Sequence, residues 1–297
     1  MVREALPPDF RRVIDTVYYP LADALCRKRR GMTGESPLVV GINGAQGTGK
    51  STLARFVAAI LAHRQGFRVV TLSLDDLYLT RRQRSDLAAR VHPLLRTRGV
   101  PGTHDIDLGL AVMDRLRNAG PGTATAIPRF DKARDDRLPE DRWPRFRGRP
   151  DLILMEGWCL GAVPQDEADL VVPINRLEAD EDADGHWRRY ANSQLADTYP
   201  ALFGQLDVLI MLKVPGWESV YRWRLEQEEK LRASRREAVN GARFMAPGQV
   251  ARFVAHYERL TRHQLAEMPA RADAVVALNP DHGADRVYGP LVESEGH

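Results

Sequence analysis

A three-layer α/β/α architecture around a mainly parallel sheet is what the sequence predicts, on three observations. Uninterrupted apolar runs recur along the chain: PLVVGIN (37–43), RVVTLSL (68–74), DLILMEGW (151–158), LDVLIMLKV (206–214) and ADAVVALN (272–279). Runs of this kind, β-branched and without polar alternation, mark parallel strands covered on both faces. Stretches of helical spacing separate them, as parallel pairing requires. A glycine-rich turn joins the first run to the first long helix, giving strand, turn, helix and strand within the first hundred residues.

The elements follow in order. Phe10, Val13, Ile14, Val17, Leu21 and Leu25 fall on one helical face, so residues 1–36 are expected to hold an N-terminal helix ending in the loop GMTGESP. From 37 to 297 no linker or internal repeat divides the chain, and a single domain is expected. The stretch STLARFVAAILAHRQG reads as a helix stopped at Gly66. Residues 81–98 read as charged helix, PGTHD as a turn, and IDLGLAVMDRLRN as a helix by the spacing of Leu108, Val112 and Leu116. Residues 129–150, rich in Arg, Asp and Pro, suggest an ordered loop or insertion, and 216–267 is mostly charged helix.

Composition narrows the classes. The chain has 297 residues, 43% hydrophobic and 28% charged, with a net charge of +3. No apolar run approaches the roughly 18 residues that cross a bilayer, so no membrane association is expected. The opening MVREALPPDFRRVIDTVYY lacks an apolar signal core, which makes the cytoplasm the expected compartment. Cys26 and Cys159 stand far apart without metal-ligand spacing, and suggest neither a disulfide scaffold nor a zinc site. The basic excess is arginine spread along the chain, which suits small phosphorylated ligands and argues against a nucleic-acid partner. No obligate protein partner is evident.

GAQGTGKS, Gly44 to Ser51, satisfies the phosphate-loop pattern G-x-x-x-x-G-K-[ST] at every defined position, between a strand and a helix. Backbone amides of Gly44, Ala45, Gly47, Thr48 and Gly49 are expected to face phosphate oxygens, with Thr52 completing the nucleotide-binding set. Lys50 would bridge the terminal phosphates and the Ser51 hydroxyl would ligate Mg2+. No N-K-x-D guanine motif is present, and a motor or helicase would show more domains and basic tracts, so a compact P-loop kinase leads. Asp75 and Asp76 lie just past the second strand, where ligands gather in open α/β sheets, and a carboxylate there can position an acceptor hydroxyl. Paired aspartates also form turns. Glu156, ending the third strand, suits a metal's water shell or is simply a solvated strand-end acid.

Taken together, GINGAQGTGKST, SLDDLYLT, RGVPGTHDIDL, PRFDKARDDR, ILMEGWCLG and YRWRLEQEEKLR resemble, in order, the plant-type D-glycerate 3-kinase family, within the phosphoribulokinase, uridine kinase and pantothenate kinase group. The resemblance spans about 37 to 279 and implies a P-loop kinase-like fold with a helical lid at about 216–267. It implies Asp75 as the acceptor base, Asp76 at the substrate or metal, Tyr78 at the substrate, and Glu156 near Mg2+ with Ser51 and Asp75. His104 and Asp105 fall near the acceptor pocket, although Asp105 equally suits a helix cap. Arg129 and Lys132 suit a substrate carboxylate. Arg224, with Arg232 second, matches lid arginines over the phosphates; Arg224, Glu228 and Arg232 also have the spacing of an exposed ion-pair stripe. An acidic insertion after Asn175, in NRLEADEDADGHWRRYAN, departs from the family. The function implied is ATP- and Mg2+-dependent phosphorylation of a small hydroxy acid, D-glycerate to 3-phosphoglycerate. A nucleoside or pantothenate-like acceptor and a non-catalytic nucleotide switch are the competing readings.

Overall fold

A computed structural model describes residues 10–235 and 247–293 of the chain, the side chains of Gln227, of 230–235 and of Pro247 excepted. Helix α1 (Tyr19–Gly31) follows a π-helical turn at Ile14–Tyr18. Strand β1 (Leu38–Gly44) leads through the phosphate loop to α2 (Lys50–Gln65), and β2 (Val69–Ser73) follows. Then come α3 (Arg81–Arg90), α4 (Ile106–Arg117), β3 (Leu152–Gly157), α5 (His186–Asp197) and β4 (Val208–Lys213). Helices α6 (Trp217–Arg235) and α7 (Pro247–Glu267), then β5 (Ala274–Leu278) and β6 (Ala284–Tyr288), follow, and a helical turn at Pro290–Glu293 ends the described chain.

The sheet order is β2-β3-β1-β4-β5-β6, with the five expected strands all parallel. The sixth strand is antiparallel on the β5 edge. It was not expected, because its sequence ADRVY offers neither an apolar run nor the strict alternation that marks a strand. Every residue of β1 is buried, as a central strand covered on both faces must be. Val17, Leu21 and Leu25 belong to the same apolar core as β1, β3 and β4. At the end of α2, Gly66 adopts φ 69°, and its N–H caps the Ala62 carbonyl.

Two stretches differ from their sequence reading. The helix expected over 81–98 stops at Arg90, and Pro93–Arg96 forms a separate 3-10 turn, since proline disfavours helix in the residue before it. The segment 129–150, expected as an ordered loop or insertion, holds one small antiparallel pairing of its own, Phe130–Asp131 with Asp136–Arg137, and its Arg145–Arg147 pairs antiparallel with Ala124–Ala126 just before it. No helix among the described residues is long and apolar enough to cross a membrane.

The register sets the site. Glu156 stands opposite Ile42 on one side and Ser73 on the other. The carboxyl ends of β1, β3 and β2 are therefore level, and the chain builds β2 and β3 on one flank of β1 before crossing to β4 on the other, which places a crevice there.

Candidate active site

The phosphate loop is shaped by its glycines and held by its own side chains. Gly47 and Gly49 adopt φ +81° and +86°, where a side chain would be strained. A Cβ on Gly44 would lie 2.8 Å from Thr48 Oγ1 and 3.0 Å from Leu212 Cβ. Thr48 Oγ1 donates to the Ala45 carbonyl at 2.8 Å, and Lys50 Nζ donates to the same oxygen at 3.1 Å. Burial lowers the Lys50 pKa, opposed by the charges of Glu156 and Asp75. The loop is thus closed on itself, with its lysine facing two acids.

Those acids come from neighbouring strand ends. Buried Leu74 and Leu77 pin the turn Leu74–Leu77 after β2, and the two aspartates between them part company. Asp75 accepts from the Tyr78 hydroxyl at 3.1 Å and from Lys132 Nζ at 2.6 Å. Burial would raise its pKa, but the charge and hydrogen bond of Lys132 bring it below the usual carboxylate range. Asp76 instead accepts from Arg129 at 3.1 Å and from the Phe130 amide at 2.9 Å, and burial raises its pKa. Arg129, expected at the substrate, is therefore turned to Asp76 and anchors the PRFDK loop.

Ser51 Oγ donates to Glu156 Oε1 at 3.0 Å. This pair of hard oxygens at the start of α2 fits a cation such as Mg2+ that keeps much of its water and takes its other ligands from phosphates. Asp75, expected beside them at the metal, has its oxygens on Tyr78 and Lys132. Among the described residues, no three His, Cys, Asp or Glu side chains gather as a metal cage.

His104 is buried, stacked on Tyr78 with ring centroids 4.5 Å apart, and its Nδ1 lies 2.6 Å from the Tyr199 hydroxyl. Burial depresses its pKa to about 3, so it is neutral at physiological pH. The Asp105 carboxylate caps α4 through the Leu108 amide and receives Arg137 at 3.0 Å, so both of its oxygens are engaged within the fold. Arg224 reaches the cleft while paired with Glu228 at 2.9 Å and set 5.6 Å from the Phe253 ring centroid. The i,i+4 pair and a place in the cleft wall thus coexist. Arg232 is on the same helix, and its side chain lies outside the described residues.

Lys50, Ser51, Thr52, Asp75, Tyr78, Lys132, Glu156 and Arg224 line one cleft of about 590 Å³, whereas Asp76, His104, Asp105 and Arg129 are not in its wall. Sequence reasoning missed Gln46, Arg98, Trp158, Phe253 and Tyr257 in the same wall. Trp158 and Arg98 sit inside motifs already noted, EGW and RGVPG, whereas only packing brings Phe253 and Tyr257 to the cleft from α7. A phosphate loop at one end and an acid with a basic partner at the other can hold a nucleotide's terminal phosphate against an acceptor hydroxyl. That defines the class as a P-loop phosphotransferase.

No protein-family model matches the chain. It is 34% identical over 231 residues to the uncharacterized kinase mug58 of Schizosaccharomyces pombe, covering 74% of this chain and 78% of that protein. It is 31% identical over 259 residues to the chloroplastic D-glycerate 3-kinase of Arabidopsis thaliana, covering 82% of this chain and 53% of that protein, so it spans about half of the plant enzyme. The D-glycerate 3-kinase of Cryptococcus neoformans shares the fold, with a TM-score of 0.72 at 24% identity over 91% of this chain and 97% of that one. The chain belongs to this family of P-loop kinases, which includes mug58 and D-glycerate 3-kinase.

Proposed function

We propose that the protein transfers the γ-phosphoryl group of ATP to a hydroxyl of D-glycerate, giving 3-phosphoglycerate. The observation that carries this reading is Asp75, set in one cleft with Lys50 and bonded at 2.6 Å to a lysine able to serve a substrate carboxylate. Asp75 orients the acceptor hydroxyl and takes its proton as the oxygen bonds to phosphorus and the bridge to ADP breaks. A weakly basic carboxylate suffices, because in a loose transition state the proton leaves late. Lys50 and Arg224 stabilise the charge on the transferring group. Ser51 and Glu156 would hold Mg2+, which when bound neutralises phosphate charge. Tyr78 fixes the Asp75 rotamer. Lys132, held on Asp75, keeps that carboxylate ionised, and helices α6 and α7 serve as the lid that excludes water, residues 236–246 of the expected lid lying outside the described residues.

Two buried free cysteines, Cys26 and Cys159, support work in the reducing cytoplasm. A nucleoside acceptor draws support from the aromatic cleft wall. Two of those rings, however, are committed: Trp158 and Tyr257 pack edge to face at 4.8 Å and hydrogen-bond the backbone of Gly99 and Arg98. ATP consumption measured against a panel of hydroxy acids, nucleosides and pantothenate, with the product identified by NMR, tests the proposal. Turnover confined to D-glycerate is expected. Turnover confined to nucleosides, or indifferent to every acceptor, overturns it.

A further inference from the structure

We infer that Arg98 is the residue that selects an acceptor by its carboxylate, an inference that rests on the hydroxy-acid reading above. At the acceptor wall Asp75 and Lys132 cancel each other as an ion pair. Arg98 pairs with Asp135, but that carboxylate is shared: Arg84, only 1% exposed, holds its other oxygen at 2.9 Å. Arg84 has its remaining donors on the Leu79, Arg96 and Asp135 carbonyls and is buried as a cation, so Asp135 balances it. The wall therefore carries one positive charge in excess, and it belongs to Arg98.

Position and rigidity agree with this. Arg98 lines the cleft, 23% exposed, with its guanidinium 5.5 Å from the Phe130 ring centroid. Among the described residues its guanidinium makes hydrogen bonds only through NH1, to Asp135, which leaves Nε and NH2 for a ligand. Its backbone is clamped from two sides: Tyr257 donates to the Arg98 carbonyl at 3.1 Å and Trp158 Nε1 to the Gly99 carbonyl at 2.9 Å. Only glycine fits at 99, since a Cβ there would come within 2.4 Å of the Tyr257 hydroxyl. Lys132, by contrast, is 62% exposed and already paired with Asp75. A fixed planar fork recognises a carboxylate through two parallel hydrogen bonds, which an ammonium, a point charge, does not.

The test compares wild type, Arg98→Met and Arg98→Lys on D-glycerate and on its methyl ester, which keeps both hydroxyls and lacks the charge. In Arg98→Met the KM for D-glycerate should rise ~100-fold while the KM for ATP stays within about threefold. The preference for acid over ester should collapse by the same factor. Arg98→Lys restores the charge without the fork and should leave a rise of about tenfold, which decides the matter if the Met variant is unstable. An unchanged acid-to-ester preference, or equal losses on both acceptors and ATP, overturns the role of Arg98 alone. Wild-type enzyme that turns over no hydroxy acid overturns this inference and the proposed function together.

Discussion

Asp75 holds a lysine at 2.6 Å before any acceptor arrives, so the two residues should fail in different ways. Asp75→Asn keeps the shape of the cleft and removes the proton acceptor; kcat should fall ~10²- to 10⁴-fold, with the KM for ATP within a few fold. Undiminished turnover would remove Asp75 from the mechanism. Lys132→Met takes away the main influence lowering the Asp75 pKa and leaves burial, which raises it. A base must be deprotonated to act, so the acid limb of the pH profile of kcat/KM should move to higher pH, and a limb that stays in place would show that Asp75 does not titrate in it. At this scale the sequence was only half legible. PRFDK offered two cations, but extended residues three apart point to opposite faces, and nothing local says which face is the cleft.

Among the elements, the acidic insertion is where the sequence said least. Its run of acids showed only a departure from the family, yet Glu178 is completely buried and takes a two-point contact from Arg259, at 2.7 Å to Nε and 2.6 Å to NH2. Asp182, equally buried, holds Arg188 at 2.9 Å. These pairs tie the short helix Arg176–Glu181 to α7 and the turn after it to α5. Glu178→Gln leaves a buried guanidinium without its counter-charge and should cost about 3–5 kcal/mol in urea unfolding; a loss below about 1 kcal/mol would place the pair in water. Burial of a charge depends on a partner about 80 positions away, so no local pattern announces it. By contrast α2 was readable from end to end, because its start is set by the phosphate loop and its stop by Gly66.

For the molecule as a whole, five apolar runs made the parallel sheet legible, whereas the order β2-β3-β1-β4-β5 was not, since strand neighbours are chosen by long-range packing. The same packing buries two histidines and leaves a Nε2 of each without a hydrogen-bond partner, His104 beside the cleft and His256 against Trp187. Their pKa values fall to about 3 and about 4, chiefly through burial. Both stay neutral in the folded protein, while in the unfolded chain they take up protons below about pH 6.5. The unfolded state therefore binds more protons from about 6.5 downward, and stability must fall as the pH falls through that window. Each histidine contributes ~1.4 kcal/mol per pH unit, so the pair should remove up to about 4 kcal/mol between pH 7 and pH 5. Urea unfolding at pH 7, 6 and 5 measures the slope directly. His104→Asn should roughly halve it, and a wild-type stability that is flat from pH 7 to 5 would mean that these imidazoles find a proton acceptor in the folded state.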